Sequence, residues 1–247
     1  MSLKFLNSSS RQELPGFNAS EENLSPRLCG HTSLAALRTA IVGRLPLLLI
    51  LLLAFALRLL SARFLMGSID SEGAEYARIA ENLLEGNGYV GIALPGAQLM
   101  LPPLFPLLIA AVSLLTHQLE LAGRLISVTM GTLLVLPIYS ITLHLYNRKV
   151  AHVAALLTAC HPLLIGFAST VFSETTYITL VLSGAYWSLR CLSLQAARNF
   201  LLAGFCFGLA YLTRPEAALY PFLTICLLVA SSFAMHRRQT RHVVLRS

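Results

Sequence analysis

The sequence has 247 residues, of which 56% are hydrophobic and only 12% are charged. A soluble domain of this length carries about a quarter charged residues, so the composition excludes an ordinary soluble enzyme and indicates a membrane protein. The net charge of +7 does not indicate a nucleic-acid partner, because the basic residues form small groups between apolar runs rather than a stripe with interleaved aromatics.

Both ends of the sequence have the composition of tails. Residues 1–43 are polar and irregular, and we predict a disordered cytoplasmic tail there. We predict no cleavable signal in this segment, because the first apolar run begins too late and no small-residue cleavage site follows it. Residues 236–247 are basic and directly follow an apolar run, which is typical of a cytoplasmic flank. The region between them, 44–235, is the predicted transmembrane domain.

Apolar runs in this central region predict an all-α fold, a polytopic bundle of membrane helices with an external loop. The runs cover residues 45–62, 103–116, 122–145, 150–168, 176–193, 200–213 and 217–235. A helix needs ~20 apolar residues to cross a bilayer, so the second and sixth runs are short. Most of the five cysteines lie in or beside these runs without a CxxC pair, which favours small core hydrophobes over metal ligands.

The positive-inside rule favours one topology of these runs. If all of them cross, the basic groups around Arg148, Arg190 and the C-terminus lie outside, against the rule. If 103–116 only dips into the membrane, all three groups become cytoplasmic, and about 63–102 forms an extracytoplasmic loop. We predict this arrangement, in the plasma (inner) membrane with both termini cytoplasmic; a short tilted helix at 103–116 is the alternative. The polar residues that then share the outer face are Asp70, Glu174, Arg214 and Glu216.

The external loop contains an amphipathic helix. Between Tyr76 and Leu84 the apolar residues recur at i, i+3, i+4, i+7 and i+8. Asp70 or Ser71 can cap the start of this helix, and Gly86 can end it. Because the helix is acidic, whereas helices that bind lipid by charge are rich in Lys and Arg, we predict that it docks on the protein's own helices at the membrane interface. Its predicted polar face consists of Glu72, Glu75, Asn82 and Glu85.

Asp70 is the only aspartate in the chain, and its position allows two interpretations. Just before a helix N-terminus a carboxylate stays ionised, as a general base or a ligand must. Alternatively, Asp70 is only the N-cap of that helix.

The acidic loop has the sequence Asp70-Ser-Glu72-Gly-Ala-Glu75-Tyr76-Ala-Arg-Ile-Ala80, followed by Gly86-Asn-Gly88-Tyr89. This pattern resembles the first external loop of the dolichyl-phosphate-mannose–protein mannosyltransferase superfamily, the C-type membrane enzymes of glycosyltransferase family 39 and their bacterial relatives. Further matches follow in order over about 60–220: Pro102-Pro103-Leu104, Arg124-Leu-Ile-Ser127 with Gly131, His161-Pro162, Ser173-Glu174-Thr-Thr-Tyr177 and Thr213-Arg214-Pro215-Glu216.

The resemblance implies a glycosyltransferase that takes a sugar from a polyprenyl- or dolichyl-phosphate donor. Asp70 would be the general base on the acceptor hydroxyl, with inversion at the anomeric carbon. Glu72 would assist the base, orient the acceptor or hold a divalent cation. Apart from such a cation, the resemblance implies no cofactor. Arg214 is the candidate for the phosphate, with Arg124 as second choice. The other implied substrate-binding residues are Tyr76, Glu174 and Glu216.

The implied partners are the lipid-linked donor, membrane lipid and a glycan, lipid or protein acceptor. Members of the superfamily are usually longer and carry a lysine near the Pro-Pro element, whereas this chain has only Lys4 and Lys149. We therefore expect a truncated or short form. The alternative hypothesis is a non-catalytic remnant, or a membrane subunit that binds lipid-linked glycans or partner helices.

Several polar positions near helix ends also have structural interpretations. Arg58, near the end of the first apolar run, is predicted to snorkel to the surface. His161-Pro162 predicts a kink rather than a ligand. Glu174 could cap a helix that begins beside it. Arg214-Pro215-Glu216 could mark a helix end, with the proline beginning the next helix and an Arg–Glu pair at the interface.

Overall fold

The computed structural model describes residues 31–64, 69–92, 96, 98, 100–193, 196–227 and 229–230, with side chains from residue 44 onward. The helices are α1 (His31–Phe64), α2 (Ser71–Leu84), α3 (Leu104–Thr116), α4 (Leu119–Leu133), α5 (Val135–Leu145), α6 (Arg148–Cys160), α7 (Pro162–Ser169), α8 (Glu174–Ser193) and α9 (Ala197–Tyr211). A 3₁₀ turn (Pro215–Ala218) then opens an apolar helical segment that reaches Leu227. The described residues contain no β-strand, and the predicted all-α fold is confirmed.

The chain divides into two compact units, residues 1–41 and 42–247. Of the first unit, residues 31–41 are described and are helical. The helix therefore begins at His31, earlier than the tail boundary predicted at residue 43, because the segment after His31 is rich in the good helix formers alanine and leucine. The rest of the predicted N-terminal tail and the basic C-terminal tail lie outside the described residues. The second unit contains the candidate site.

Two helical segments of the described chain are long and apolar enough to cross a membrane, Arg44–Phe64 and Leu119–Leu145. A third is added if α6 and α7, which meet at a bend of 52°, count as one span. Helix α3 has 13 residues and is about 20 Å long, short of the ~30 Å hydrocarbon core. Helices α8 and α9 do not meet the same measure of length and apolarity, so the full predicted topology stays a prediction.

The bend between α6 and α7 confirms the kink predicted at His161-Pro162. Helix α6 ends at Cys160, and Pro162 is the first residue of α7. In a continuous helix the N–H of residue 162 would bond to the carbonyl of Thr158, and proline has no N–H to donate. The break therefore leaves a carbonyl of α6 without its helical partner, inside the bundle.

The prediction that Arg58 snorkels to the surface is wrong, because this side chain is fully buried. Its Nη2 donates to the carbonyl of Thr158 at 3.2 Å, and its Nη1 donates to the carbonyl of Ala159 at 3.1 Å and to that of Ala54. Arg58 thus supplies α6 with a donor at the position where Pro162 has none. The buried guanidinium thereby satisfies two backbone carbonyls at the end of α6 that have no helical N–H partner.

The amphipathic helix α2 docks on the protein's own helices, as predicted. Its apolar face contacts α3 and α4, and Tyr76 and Ala80 are buried there with Phe105 and Ile109. The Tyr76 and Phe105 rings meet edge to face, with centroids 5.0 Å apart. This packing fixes the first residues of α2, and with them the acidic end of the external loop.

Candidate active site

Asp70 is the N-cap of α2. Its backbone is extended, and its Oδ1 accepts the backbone N–H of Ser71 at 2.8 Å. At the other end Gly86 follows the helix with a φ of +80°, a conformation that glycine adopts without strain. Both predicted helix boundaries are confirmed. The Asp70 carboxylate is exposed, so it is open to an incoming hydroxyl group.

A polar cluster at the start of α2 joins three distant parts of the chain. Arg214 donates from Nη2 to Glu174 Oε1 at 2.5 Å and to Glu72 Oε1 at 3.4 Å. Its Nε donates to Ser173 Oγ at 3.2 Å. The hydroxyl of Tyr76 lies 3.0 Å from Glu72 Oε1 and 3.2 Å from Ser173 Oγ. We call these five residues the Arg214 cluster.

The hydrogen-bond donors in the Arg214 cluster follow one order. Tyr76 has a single hydroxyl proton, and the carboxylate of Glu72 can only accept, so Tyr76 donates to Glu72. Because the Tyr76 proton goes to Glu72, the contact between Tyr76 and Ser173 is made by the Ser173 hydroxyl donating to the oxygen of Tyr76, while Ser173 accepts from Arg214 Nε. The bonds form a closed ring, because Arg214 Nη2 also reaches Glu72. In this ring two routes run from the donor Arg214 to the acceptor Glu72, one direct and one through Ser173 and Tyr76, and together they restrain the arginine fork.

The backbone explains why Arg214 points into the cluster. Helix α9 ends at Tyr211, and Pro215 disfavours a helical conformation at the residue before it. Arg214 is accordingly extended, with φ −151° and ψ 132°. Pro215 then begins the 3₁₀ turn, as the helix-end interpretation predicted.

Gly73 allows α2 to approach the segment that carries Ser173 and Glu174. A Cβ atom added at Gly73 would lie 2.9 Å from the carbonyl oxygen of Val171, closer than real Cβ contacts. A larger residue would push the start of α2 away from this segment. This role could not be recognised from the sequence. A glycine inside a helix is locally destabilising, and nothing around it in the sequence indicates that it will contact Val171.

Burial controls protonation in the Arg214 cluster. The pKa of Glu174 is raised, mainly because its carboxylate is removed from water and also because Glu72 is close, while Arg214 opposes the rise. Burial likewise raises the pKa of the Tyr76 hydroxyl, which therefore stays neutral as a donor. The site thus holds a carboxyl group that can gain a proton when a second anion arrives.

This electrostatic arrangement predicts opposite pKa shifts in two variants. Glu72→Gln should lower the pKa of Glu174, because a nearby negative charge is lost, and Arg214→Gln should raise it, because the stabilising cation is lost. Infrared titration of the protonated carboxyl band, with Glu174→Gln as the blank, measures both shifts. Shifts of the same sign in the two variants would contradict the arrangement.

In the wild type the folded state binds the Glu174 proton more tightly than the unfolded chain, so stability should fall as pH rises from about 4.5 through the raised pKa.

A family model of dolichyl-phosphate-mannose-protein mannosyltransferases matches residues 101–246, more than half of the chain. The chain belongs to this family. Membership in the mannosyltransferase family implies a membrane glycosyltransferase. The matched range includes Ser173, Glu174 and Arg214 and begins after Asp70, so the α2 part of the site lies upstream of the match. A comparison with curated proteins gave no match.

Three of the residues predicted for the mannosyltransferase site lie outside the Arg214 cluster: Asp70, which caps α2 beside it, Arg124 and Glu216. Arg124 on α4 donates to the carbonyl of Ala62 at 2.9 Å and pairs with Glu120 at 2.5 Å, so it ties α4 to the end of α1. Glu216 is exposed on the 3₁₀ turn. The carboxylate partners of Arg214 are Glu72 and Glu174, so the interpretation of Arg214 and Glu216 as an ion pair is wrong.

Glu75 and Asn82 belong to the predicted polar face of α2, and both are buried. Glu75 Oε1 accepts from the side chain of Gln98 at 2.8 Å, and Oε2 accepts from the backbone N–H of Ile92 at 2.8 Å. Asn82 donates to the carbonyl of Val90 at 2.6 Å. These side chains hold the residues after α2 against the helix, because they form hydrogen bonds with backbone groups of the loop rather than with water.

The divalent cation considered from the resemblance does not fit this arrangement. Glu72 and Glu174 already share Arg214 as their counter-ion. In the described part of the chain no group of three or more His, Cys, Asp or Glu residues could hold a metal ion.

Proposed function

We propose that the chain transfers a sugar from a polyprenyl-phosphate-linked donor to an acceptor hydroxyl at the extracytoplasmic face of the plasma membrane. The observation that carries this proposal is the exposed Asp70 carboxylate at the start of α2, two residues before Glu72 of the Arg214 cluster. A general base and a cation for phosphate are the two groups that such a transfer requires. Membership in the mannosyltransferase family supports the class of donor.

In the proposed reaction Asp70 takes the proton of the acceptor hydroxyl. The acceptor oxygen forms a bond to the anomeric carbon from the side opposite the phosphate. The bond between that carbon and the phosphate oxygen breaks, and its electron pair leaves with the lipid phosphate. The configuration at the anomeric carbon inverts, and the proton remains on Asp70 until it exchanges with water.

Arg214 is the proposed binding group for the donor phosphate. Its side chain is 29% exposed, so a ligand can reach it, and a guanidinium suits phosphate oxygens. In the resting site its charge is shared by Glu72 and Glu174. Phosphate binding would therefore be accompanied by protonation or displacement of a carboxylate, and Glu174, with its raised pKa, is the one suited to gain the proton. Tyr76 and Ser173 keep the fork in place.

Sugar transfer in proteoliposomes tests the proposal. Purified wild-type chain should transfer a labelled sugar from at least one donor in a panel of polyprenyl-phosphate sugars, and the product should have the inverted anomeric configuration. A panel without any transfer would refute the enzymatic function of this chain.

A non-catalytic membrane subunit is the second candidate. This candidate is favoured by the two ion pairs of Arg214. A cation that already has two carboxylate partners can serve as a rigid structural link between α2, α8 and the residue before the 3₁₀ turn. Retention of a lipid-linked sugar without turnover in the same proteoliposomes would support this candidate over the enzyme.

A further inference from the structure

A second polar feature lies at the opposite end of α1 from the acidic loop. A groove of about 510 Å³ opens between α1, α5 and the first residue of α6. Arg44 and Arg148 stand at its polar end, and both side chains are exposed. Helix α1 rises about 1.5 Å per residue, so Arg44 lies about 28 Å from Arg63 at the other end of the same helix. That separation is close to the thickness of a hydrocarbon core.

The charge of this groove is uncompensated. Neither Arg44 nor Arg148 forms an ion pair within the described residues. Residues 44–64 of α1, and all of α5 and α6, contain no aspartate or glutamate, while Lys149 adds a further positive charge beside Arg148. At the other end of α1, by contrast, Arg124 of α4 has Glu120 as its ion-pair partner.

The remainder of the groove is apolar. Leu48 is 53% exposed and lines the groove together with Leu47 and Leu51, on the segment Arg44–Phe64, which is long and apolar enough to cross a membrane. Tyr139 closes one side and is held edge to face against His152, with ring centroids 5.2 Å apart. A tyrosine and two arginines that line one apolar groove are typical of the level at which a membrane protein meets the membrane–water interface.

We propose that this groove binds an anionic phospholipid, with the phosphate between Arg44 and Arg148 and an acyl chain along the leucines of α1. Basic pockets between membrane helices on the cytoplasmic side have the chemistry that retains anionic head groups. The site is separate from the proposed donor site, because the Arg214 cluster is built from α2, α8 and the 3₁₀ turn. It is therefore a structural lipid site whose occupancy does not depend on sugar transfer.

Native mass spectrometry of the full chain, released from nanodiscs of mixed phosphatidylglycerol and phosphatidylcholine, tests the proposal. Wild type should retain phosphatidylglycerol preferentially. Arg44→Gln and Arg148→Gln should each reduce its retention about fivefold, and together about thirtyfold. Arg78→Gln is the matched control, since Arg78 is an exposed arginine on α2, paired with Glu81, and its loss should leave retention unchanged.

Two further variants separate binding from misfolding. Leu48→Trp keeps both arginines and fills the groove, so retention should fall although the charge is unchanged. The double variant Arg44→Lys with Arg148→Lys keeps the charge, so retention should stay near that of wild type. The proposal would be overturned if the double variant Arg44→Gln with Arg148→Gln retained as much phosphatidylglycerol as wild type, or if Arg78→Gln lost as much as the groove variants. Preferential retention of an added polyprenyl phosphate instead of phosphatidylglycerol would also overturn it.

Discussion

Asp70→Asn should lower the rate of sugar transfer by roughly 10²–10⁴-fold while the chain keeps its stability. Asparagine and aspartate are equally good N-caps, so the bond from the N–H of Ser71 can be kept by the amide oxygen. The amide cannot accept the proton of the acceptor hydroxyl. The variant therefore separates the two interpretations that the sequence left open for Asp70, a helix cap and a general base.

Two companion variants complete this experiment. Asp70→Ser also keeps a cap and should be as inactive as Asp70→Asn, whereas Asp70→Ala should lose activity and also about 1 kcal/mol of stability. Initial rates in proteoliposomes and thermal unfolding in detergent give the two readouts. If Asp70→Asn keeps most of the wild-type rate, Asp70 is only a cap, and Glu72 becomes the candidate base.

The parts of the site that could be predicted from sequence are those set by local rules. The spacing of apolar residues between Tyr76 and Leu84 and the cap at Asp70 are properties of neighbouring residues, and the structure confirms both. Helix breaks at His161-Pro162 and before Pro215 follow from the missing N–H of proline. The common location of Glu174 and Arg214 was predicted from charge and topology, and they form an ion pair.

The partners of buried polar groups could not be predicted in this way. The helical spacing of the apolar residues placed Glu75 on the polar face of α2, and the sequence did not indicate that its partners include Gln98. Arg58 was assigned to the surface because an arginine near a span end usually snorkels. Two of its three acceptors, the carbonyls of Thr158 and Ala159, lie about a hundred residues away, at the end of the helix that Pro162 interrupts. The sequence shows the arginine and the proline separately, but it does not show that the side chain of one contacts the helix that the other interrupts.

Arg58→Met should destabilise the chain substantially, and Pro162→Ala should remove part of that effect. In the wild-type background the substitution leaves the carbonyls of Thr158 and Ala159 without the guanidinium, at a cost of about 1–3 kcal/mol for each buried group left unsatisfied. With alanine at 162, the restored N–H can bond to Thr158 within a continuous helix. The cost of Arg58→Met should therefore be smaller by about 1–3 kcal/mol in that background.

Unfolding in mixed micelles, followed by helical circular dichroism, gives the four free energies of this double-mutant cycle. Arg63→Met on the same helix is the matched control: Arg63 is exposed in the last turn of α1, and its loss should change stability by less than about 0.5 kcal/mol in both backgrounds. A coupling energy near zero would show that Arg58 does not act on the broken helix. A large coupling would establish why this bundle keeps a buried cation without a carboxylate partner among the described residues: the proline that bends α6 into α7 removes a donor, and Arg58 replaces it.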